Sequence, residues 1–222
     1  MTSSDLLPKN EDVVLACAFI PDANKRTEVL VLYAFLETLR DIPERTTEPL
    51  MGEIRLRWWY EAIEEIRAGK PVRYHPLTEA LKALIGKYGF DPQAFLDMIE
   101  GQMPLLDKGA LTVKDALGVA DSGEGCVAAL AATILGDFGD LVATSRFYGM
   151  AQLKARRGLS DAGDTELAHL SREAAETTKA LPSGLLPVAL PTALAPGVWS
   201  GRPAGPLTKR LKLFWAYLTG RI

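Results

Sequence analysis

Apolar positions recur at three- and four-residue intervals along most of the chain, the spacing of one buried helix face. In "KRTEVLVLYAFLETLRD" Val29, Leu32, Tyr33, Leu36 and Leu39 make such a stripe. Pro43 predicts that this helix ends near Asp41, because proline removes a backbone donor and pushes the residue before it out of the α region. "TEPLMGEIRLRWWYEAIEEIRAG" predicts the next, starting at Thr47 with Pro49 near its first turn and stopping at Gly69. "HPLTEALKALIGKYG" and "DPQAFLDMIEGQM" repeat the pattern, the second with Asp91 as cap and Pro92 at the first helical position. Thr112 caps "TVKDALGVADSGEGCVAALAATILG", whose many alanines and glycines suit closely packed helices. "LVATSRFYGMAQLKARRG" and "DTELAHLSREAAETTKAL" follow as further helices. No segment alternates as a strand does, and no internal repeat is visible. The expected class is all-α: one helical domain over residues 1–222, with residues 1–12 as a flexible N-terminus.

The C-terminal part changes character. Glu176 is the last acidic residue, and six of the 14 prolines lie between Pro182 and Pro206, so residues 182–206 cannot form one long helix. Residues 207–222 restart as an amphipathic helix with Leu207, Leu211, Phe214, Leu218 and Ile222 on one face, beside Trp215 and Tyr217. Lys209, Arg210, Lys212 and Arg221 supply only positive charge. Such a helix either closes the bundle or meets an anionic membrane or a membrane-bound partner through Leu211, Phe214, Trp215 and Leu218.

Composition bounds the rest. The chain has 222 residues, enough for one sizeable domain, and 48% of them are hydrophobic against 24% charged. A net charge of −3 gives no reason to expect a polyanionic partner, so nucleic acid is not an expected one. Cys17 and Cys126 each stand alone in apolar surroundings, and with only His75 and His169 no zinc site is expected. Sparse cysteine suits a reducing compartment. Asp5, Glu11 and Asp12 precede the first apolar run, where a secretory leader would carry positive charge. The expectation is a cytoplasmic chain, peripheral at the inner face of a membrane if the last helix binds there.

The acidic stretch "ETLRDIPE" carries the candidate chemistry. Glu37 and Asp41 are four residues apart, so a helix points both carboxylates to one side, where they could hold Mg²⁺ against a diphosphate. Acidic pairs at this spacing are also common on solvated helix faces.

"LYAFLETLRDIPE" resembles the "YAF" helix of the squalene/phytoene synthase family, and "EPLMGEIRLRWWYEAIEEI" resembles the helix that follows it. "FLDMIEGQMPLLDKGALTVKDALGVADSGEGCVAALAATILG" is similar to the family's central segment, and "LPSGLLPVALPTAL" and "LTGRI" to its C-terminal end. The resemblance covers most of residues 28–222 and is strongest over 48–63. It implies an all-α isoprenoid-synthase-like fold, shortened in its C-terminal third, with a central cavity and Mg²⁺-dependent head-to-head joining of two prenyl diphosphates. Tyr33, Phe35, Trp58 and Trp59 are then candidates to line the cavity.

The departures from the family pattern fall on the acidic motifs. Where active members carry a DDxxD-like motif, matching residue by residue gives Arg40, Asp41 and Glu44, so one facing carboxylate has become a cation. A guanidinium there repels Mg²⁺ but can pair with phosphate. In place of the second motif stands "KARRGLSDAGDTELAHL", with Asp161 and Asp164 beyond a glycine-containing break. Leu105 or Leu106 sits near where an acidic residue is usual. The run 34–63 looks closest to a non-catalytic branch that includes the mitochondrial assembly factor for respiratory complex I, which also lacks intact acidic motifs.

Three functions therefore stay open. The first is a non-catalytic member that binds an isoprenoid lipid or prenyl diphosphate, or helps assemble a membrane-protein complex, with no cofactor. The second is an active prenyltransferase with Mg²⁺ on Glu37, Asp41 and Glu44. The third is a helical interaction module with a filled core. Arg40, Arg55 and Arg157 are the candidate diphosphate contacts. The plainer alternatives are a solvated or ion-paired Arg55 and an Arg157 that suits a helix C-terminus.

Overall fold

A computed structural model describes residues 6–160 and 164–222, and within them the chain is helical with no strand. The elements are α1 (Glu11–Cys17), α2 (Ala23–Arg45), α3 (Pro49–Arg67), α4 (Pro76–Tyr88), α5 (Pro92–Glu100) and a 3₁₀ turn (Met103–Leu106). Next come α6 (Val113–Ala120), a π-helical turn (Asp121–Gly125), α7 (Cys126–Leu135), α8 (Val142–Arg157) and α9 (Asp164–Lys179). Short pieces follow: α10 (Leu186–Ala189), a second 3₁₀ turn (Leu190–Leu194), α11 (Ala195–Trp199) and finally α12 (Pro206–Thr219). The expected all-α bundle is what forms. Residues 182–206 are broken into short helical pieces, as their prolines require.

Local chemistry sets the element ends. Asp91 accepts a hydrogen bond from the Gln93 amide and Thr112 from that of Asp115, so both act as the expected caps. Gly69 and Gly89 close α3 and α4 in the left-handed conformation that glycine adopts without strain.

The expected stop at Asp41 is not where α2 ends. The helix runs through Pro43 to Arg45. Pro43 falls in the last turn, so the donor it lacks is one that only the Leu39 carbonyl would have received. The exposed end is closed instead by Thr46, whose amide and hydroxyl both reach the Ile42 carbonyl (3.1 and 2.6 Å), and by Lys108, whose ammonium reaches the Pro43 carbonyl. Glu44 is thereby kept on the helix that carries Glu37 and Asp41.

The N-terminal segment expected to be flexible over residues 1–12 overlaps α1. Lys9 and Asn10 are bound to α2 through their amides, and Asp12 is buried. Residues 1–5 lie outside those described.

One large core joins α2 to its neighbours. Leu32, Phe35, Leu36 and Leu39 of α2 are fully or almost fully buried against Leu56 and Ile63 of α3, Phe95 and Met98 of α5, and Val127 of α7. A small second core unites Ala16 of α1 and Leu190 and Leu194 of the second 3₁₀ turn with Leu213 and Ala216 of α12. The continuous helix Val113–Leu135 is long and apolar enough to cross a membrane by length and composition. Its apolar window is half buried inside the bundle, where it packs on α2 and α8.

Candidate functional site

α2 brings the acidic stretch to a surface groove of about 460 Å³ between α1, α8 and the start of α12. Glu37, Asp41 and Glu44 line it together with Lys9, Asn10, Asp12, Arg156 and Lys209. Each of the three carboxylates already has a partner. Glu37 accepts hydrogen bonds from the backbone amides of Lys9 (2.6 Å) and Asn10 (2.7 Å), the residues that lead into α1. The Asn10 amide is among the donors a helix start leaves unsatisfied, so Glu37 acts as a remote cap of α1 and also fixes the residue before it. Asp41 pairs with Lys9 (3.2 Å) and Arg45 (2.8 Å), and Glu44 with Arg156 (2.8 Å).

Arg40 points the other way, into the bundle. Its guanidinium holds Glu124 in a two-pronged ion pair, with Nη1 donating to Oε1 at 2.5 Å and Nη2 to Oε2. Both side chains are more than nine-tenths buried. Burial disfavours the charged guanidinium, but the adjoining Glu124 carboxylate outweighs it and holds the Arg40 pKa above its ordinary value. Arg40 Nε makes no hydrogen bond among the described residues.

The π turn that carries Glu124 is the local cause. Inserting an extra residue per turn between α6 and α7 re-aims the side chains that follow. Close approach is provided by two glycines. A Cβ on Gly123 would come within 3.1 Å of Arg40 Nη2, and one on Gly149 of α8 within 2.8 Å of both Glu124 Oε2 and Ala120. Tyr33 and Tyr148 are buried nearby, and burial raises the pKa of each phenol. Asn10 donates to the Tyr148 hydroxyl at 2.9 Å.

Sequence reasoning did not single out Glu124. The available signal was its place as an acid directly before the apolar run "GCVAALAATIL", between residues that bury easily. A buried carboxylate requires a cationic or hydrogen-bonding partner. Arg40 is that partner.

The other candidates separate. Arg157 donates to the carbonyls of Leu105 (2.9 Å) and Asp107, thereby closing the 3₁₀ turn. Arg55 is exposed and, among the described residues, reaches only the Thr46 hydroxyl, at 3.4 Å. Arg40, Arg55 and Arg157 thus serve three different partners rather than one anion.

Tyr33, Phe35 and Trp59 belong to the main core, with the Trp59 ring edge-on to Phe35 at 5.5 Å. Trp58, edge-on to Trp59 at 4.9 Å, lies at the surface. There it joins Leu50, Ile54 and Met103, together with Glu53 and the Arg57–Glu61 ion pair (3.1 Å), in a largely apolar groove of about 520 Å³ along α3. His75 caps α4, its Nδ1 accepting from the Leu77 amide, and packs its ring on Trp59.

A metal needs several converging ligands, and the fit fails here. Among the described residues no group of three or more His, Cys, Asp or Glu side chains could hold a metal ion. Glu37, Asp41 and Glu44 lie along one helix and are engaged by amides, lysine and arginine. The opposing carboxylate, Glu124, is neutralised by Arg40. Asp164 begins α9, and Asp161 lies outside the described residues.

Comparison with protein-family models matches residues 8–155 to squalene/phytoene synthase. The matched range takes in α1 to α8 almost completely, including the Arg40–Glu124 pair and the groove-lining carboxylates of α2. No curated protein matches the chain.

Proposed function

The chain belongs to the squalene/phytoene synthase family, and we propose that it is a non-catalytic member, a pseudoenzyme that serves as a binding platform at a membrane. The observation that carries this reading is the buried pairing of Arg40 with Glu124. At the position that the resemblance matches to the acidic motif, this pair would set a fixed monovalent cation where Mg²⁺-dependent chemistry requires open carboxylates. The groove carboxylates support the same reading, because each closes a helix end or an ion pair.

As a platform the protein would take an isoprenoid lipid or help assemble a membrane-protein complex, as the resemblance to the non-catalytic branch implies. The largely apolar groove beside Trp58 is where a prenyl chain would lie; Arg57 on its wall is paired with Glu61, so an anionic end would have to take that carboxylate's place. This activity would be placed in the cytoplasm, at the inner face of the membrane.

Isothermal titration of farnesyl diphosphate, with and without Mg²⁺, tests the reading. The expected result is binding that does not depend on Mg²⁺, with no diphosphate released. Mg²⁺-dependent binding followed by diphosphate release would overturn it in favour of an active prenyltransferase. Absence of any binding would remove the prenyl ligand and leave protein assembly.

A further inference from the structure

α12 presents its apolar face outward. Leu207, Leu211, Phe214, Trp215 and Leu218 are all more than half exposed, from 51% for Phe214 to 75% for Leu207. At the pitch of an α-helix these five positions fall within a sector of about 100°. The opposite side holds Leu213 and Ala216, which are buried in the small second core. It also holds Lys209, whose ammonium ties the helix to Asp12 (2.6 Å) and Glu11 (3.3 Å) of α1. The helix is therefore fastened by Leu213, Ala216, Tyr217 and the Lys209 ion pairs, while Leu207, Leu211, Phe214, Trp215 and Leu218 face away from the protein.

Charge identifies what covers them. Residues 177–222 contain six cations and no acidic residue, whereas all 28 acids lie before them. On the helical wheel Arg210 and Lys212 border the apolar sector on its two sides. Both are exposed, and neither has a carboxylate partner among the described residues. Long basic side chains at the edges of an apolar stripe extend to headgroups while the stripe enters the acyl boundary. Tryptophan on the same face is suited to that boundary.

We propose that α12 lies in the plane of an anionic phospholipid membrane, inserting Leu207, Leu211, Phe214, Trp215 and Leu218 between basic contacts from Arg210 and Lys212. This deepens the membrane part of the platform reading and names the element responsible. It does not depend on whether the α2 site is catalytic.

Sedimentation of the full chain with vesicles tests it, comparing pure phosphatidylcholine with a mixture holding roughly one third phosphatidylglycerol. The wild type should pellet with the anionic vesicles and stay largely in solution with the neutral ones. The variant Phe214→Ser/Trp215→Ser/Leu218→Ser should lose at least about tenfold in partitioning with its thermal melt unchanged, since these side chains lie outside both cores. Arg210→Glu/Lys212→Glu should lose a comparable factor on anionic vesicles only.

A wild type that remains in the supernatant would overturn the proposal, as would variants that pellet like the wild type. Equal binding to neutral vesicles would remove the anionic headgroup from it. Self-association through this face, without vesicle binding, would assign the face to a second copy of the chain instead. Mg²⁺-dependent release of diphosphate would overturn the pseudoenzyme reading alone, because it does not involve α12.

Discussion

Arg40 and Glu124, 84 residues apart in sequence, meet inside the bundle as a two-pronged ion pair that water scarcely reaches. It joins α2 to the π turn between α6 and α7. Its energetics follow from desolvation. Two charges removed from water are costly, and their attraction returns that cost only while both are present.

Removing one partner should therefore be worse than removing both. Arg40→Met is expected to cost about 3–5 kcal/mol, because Glu124 is left buried and uncompensated. Arg40→Met combined with Glu124→Leu should recover most of that loss. Urea unfolding of the two single variants and the double variant measures the difference. A double variant no more stable than Arg40→Met would show that the loss comes from packing rather than charge.

Glu37 gives a sharper separation between metal ligand and helix cap. Its Ala variant should lose about 1–2 kcal/mol, the scale of a lost cap, through the amides of Lys9 and Asn10. Mg²⁺ should leave the melting temperature of the wild type and of Glu37→Ala unchanged. A wild-type melting temperature that rises with Mg²⁺, and ceases to do so in Glu37→Ala, would return Glu37 to the metal.

Gly149 stands where α8 crosses the Glu124 carboxylate and Ala120. An added Cβ would lie 2.8 Å from each, too close for either to remain in place. Gly149→Ala is expected to destabilise by about 1–3 kcal/mol through overpacking. Gly118→Ala, which meets nothing within 4 Å, is the control and should be neutral or slightly stabilising. Paired melting curves of the two variants make the comparison.

Alkaline pH should weaken the fold. Burial pushes the Cys17 and Cys126 thiols up to about 12 from an ordinary value of 9.0, and burial also raises Tyr33 and Tyr148. A raised folded-state pKa means that the native state keeps a proton the unfolded chain gives up. The stability from these groups is fully present below about pH 9 and is lost as pH rises toward 12. Urea midpoints should fall between pH 8 and pH 10.5, and less steeply for Cys17→Ala. Midpoints that do not change over this range would count against burial of these groups. Cys17 should also resist alkylation in the native protein at pH 8, since the thiolate is the nucleophile.

Much of the fold is written in local patterns. The apolar stripe of α2, the Asp91 and Thr112 caps, the glycine stops and the proline-broken segment 182–206 each depend on neighbours within a few residues. These effects act along one element, so a single sequence reveals them. The end of α2 was harder to place, because Lys108 and the Thr46 hydroxyl satisfy the last carbonyls of the helix, those of Pro43 and Ile42. Lys108 lies 65 residues away from Pro43 in the chain.

The site divides along the same line. That Arg40 stands beside Asp41 and near Glu44 is visible in the residues themselves, as is the amphipathic pattern of α12. Only the tertiary structure decided that Arg40 turns inward to Glu124 and that Glu37 caps α1. It also decided that the apolar side of α12 faces outward. Sequence spacing fixes which side chains share a helix face, but the direction of that face depends on what packs behind it. For α12 Leu213, Ala216 and the Lys209 ion pair claim the bundle side, leaving Leu207, Leu211, Phe214, Trp215 and Leu218 for the surface.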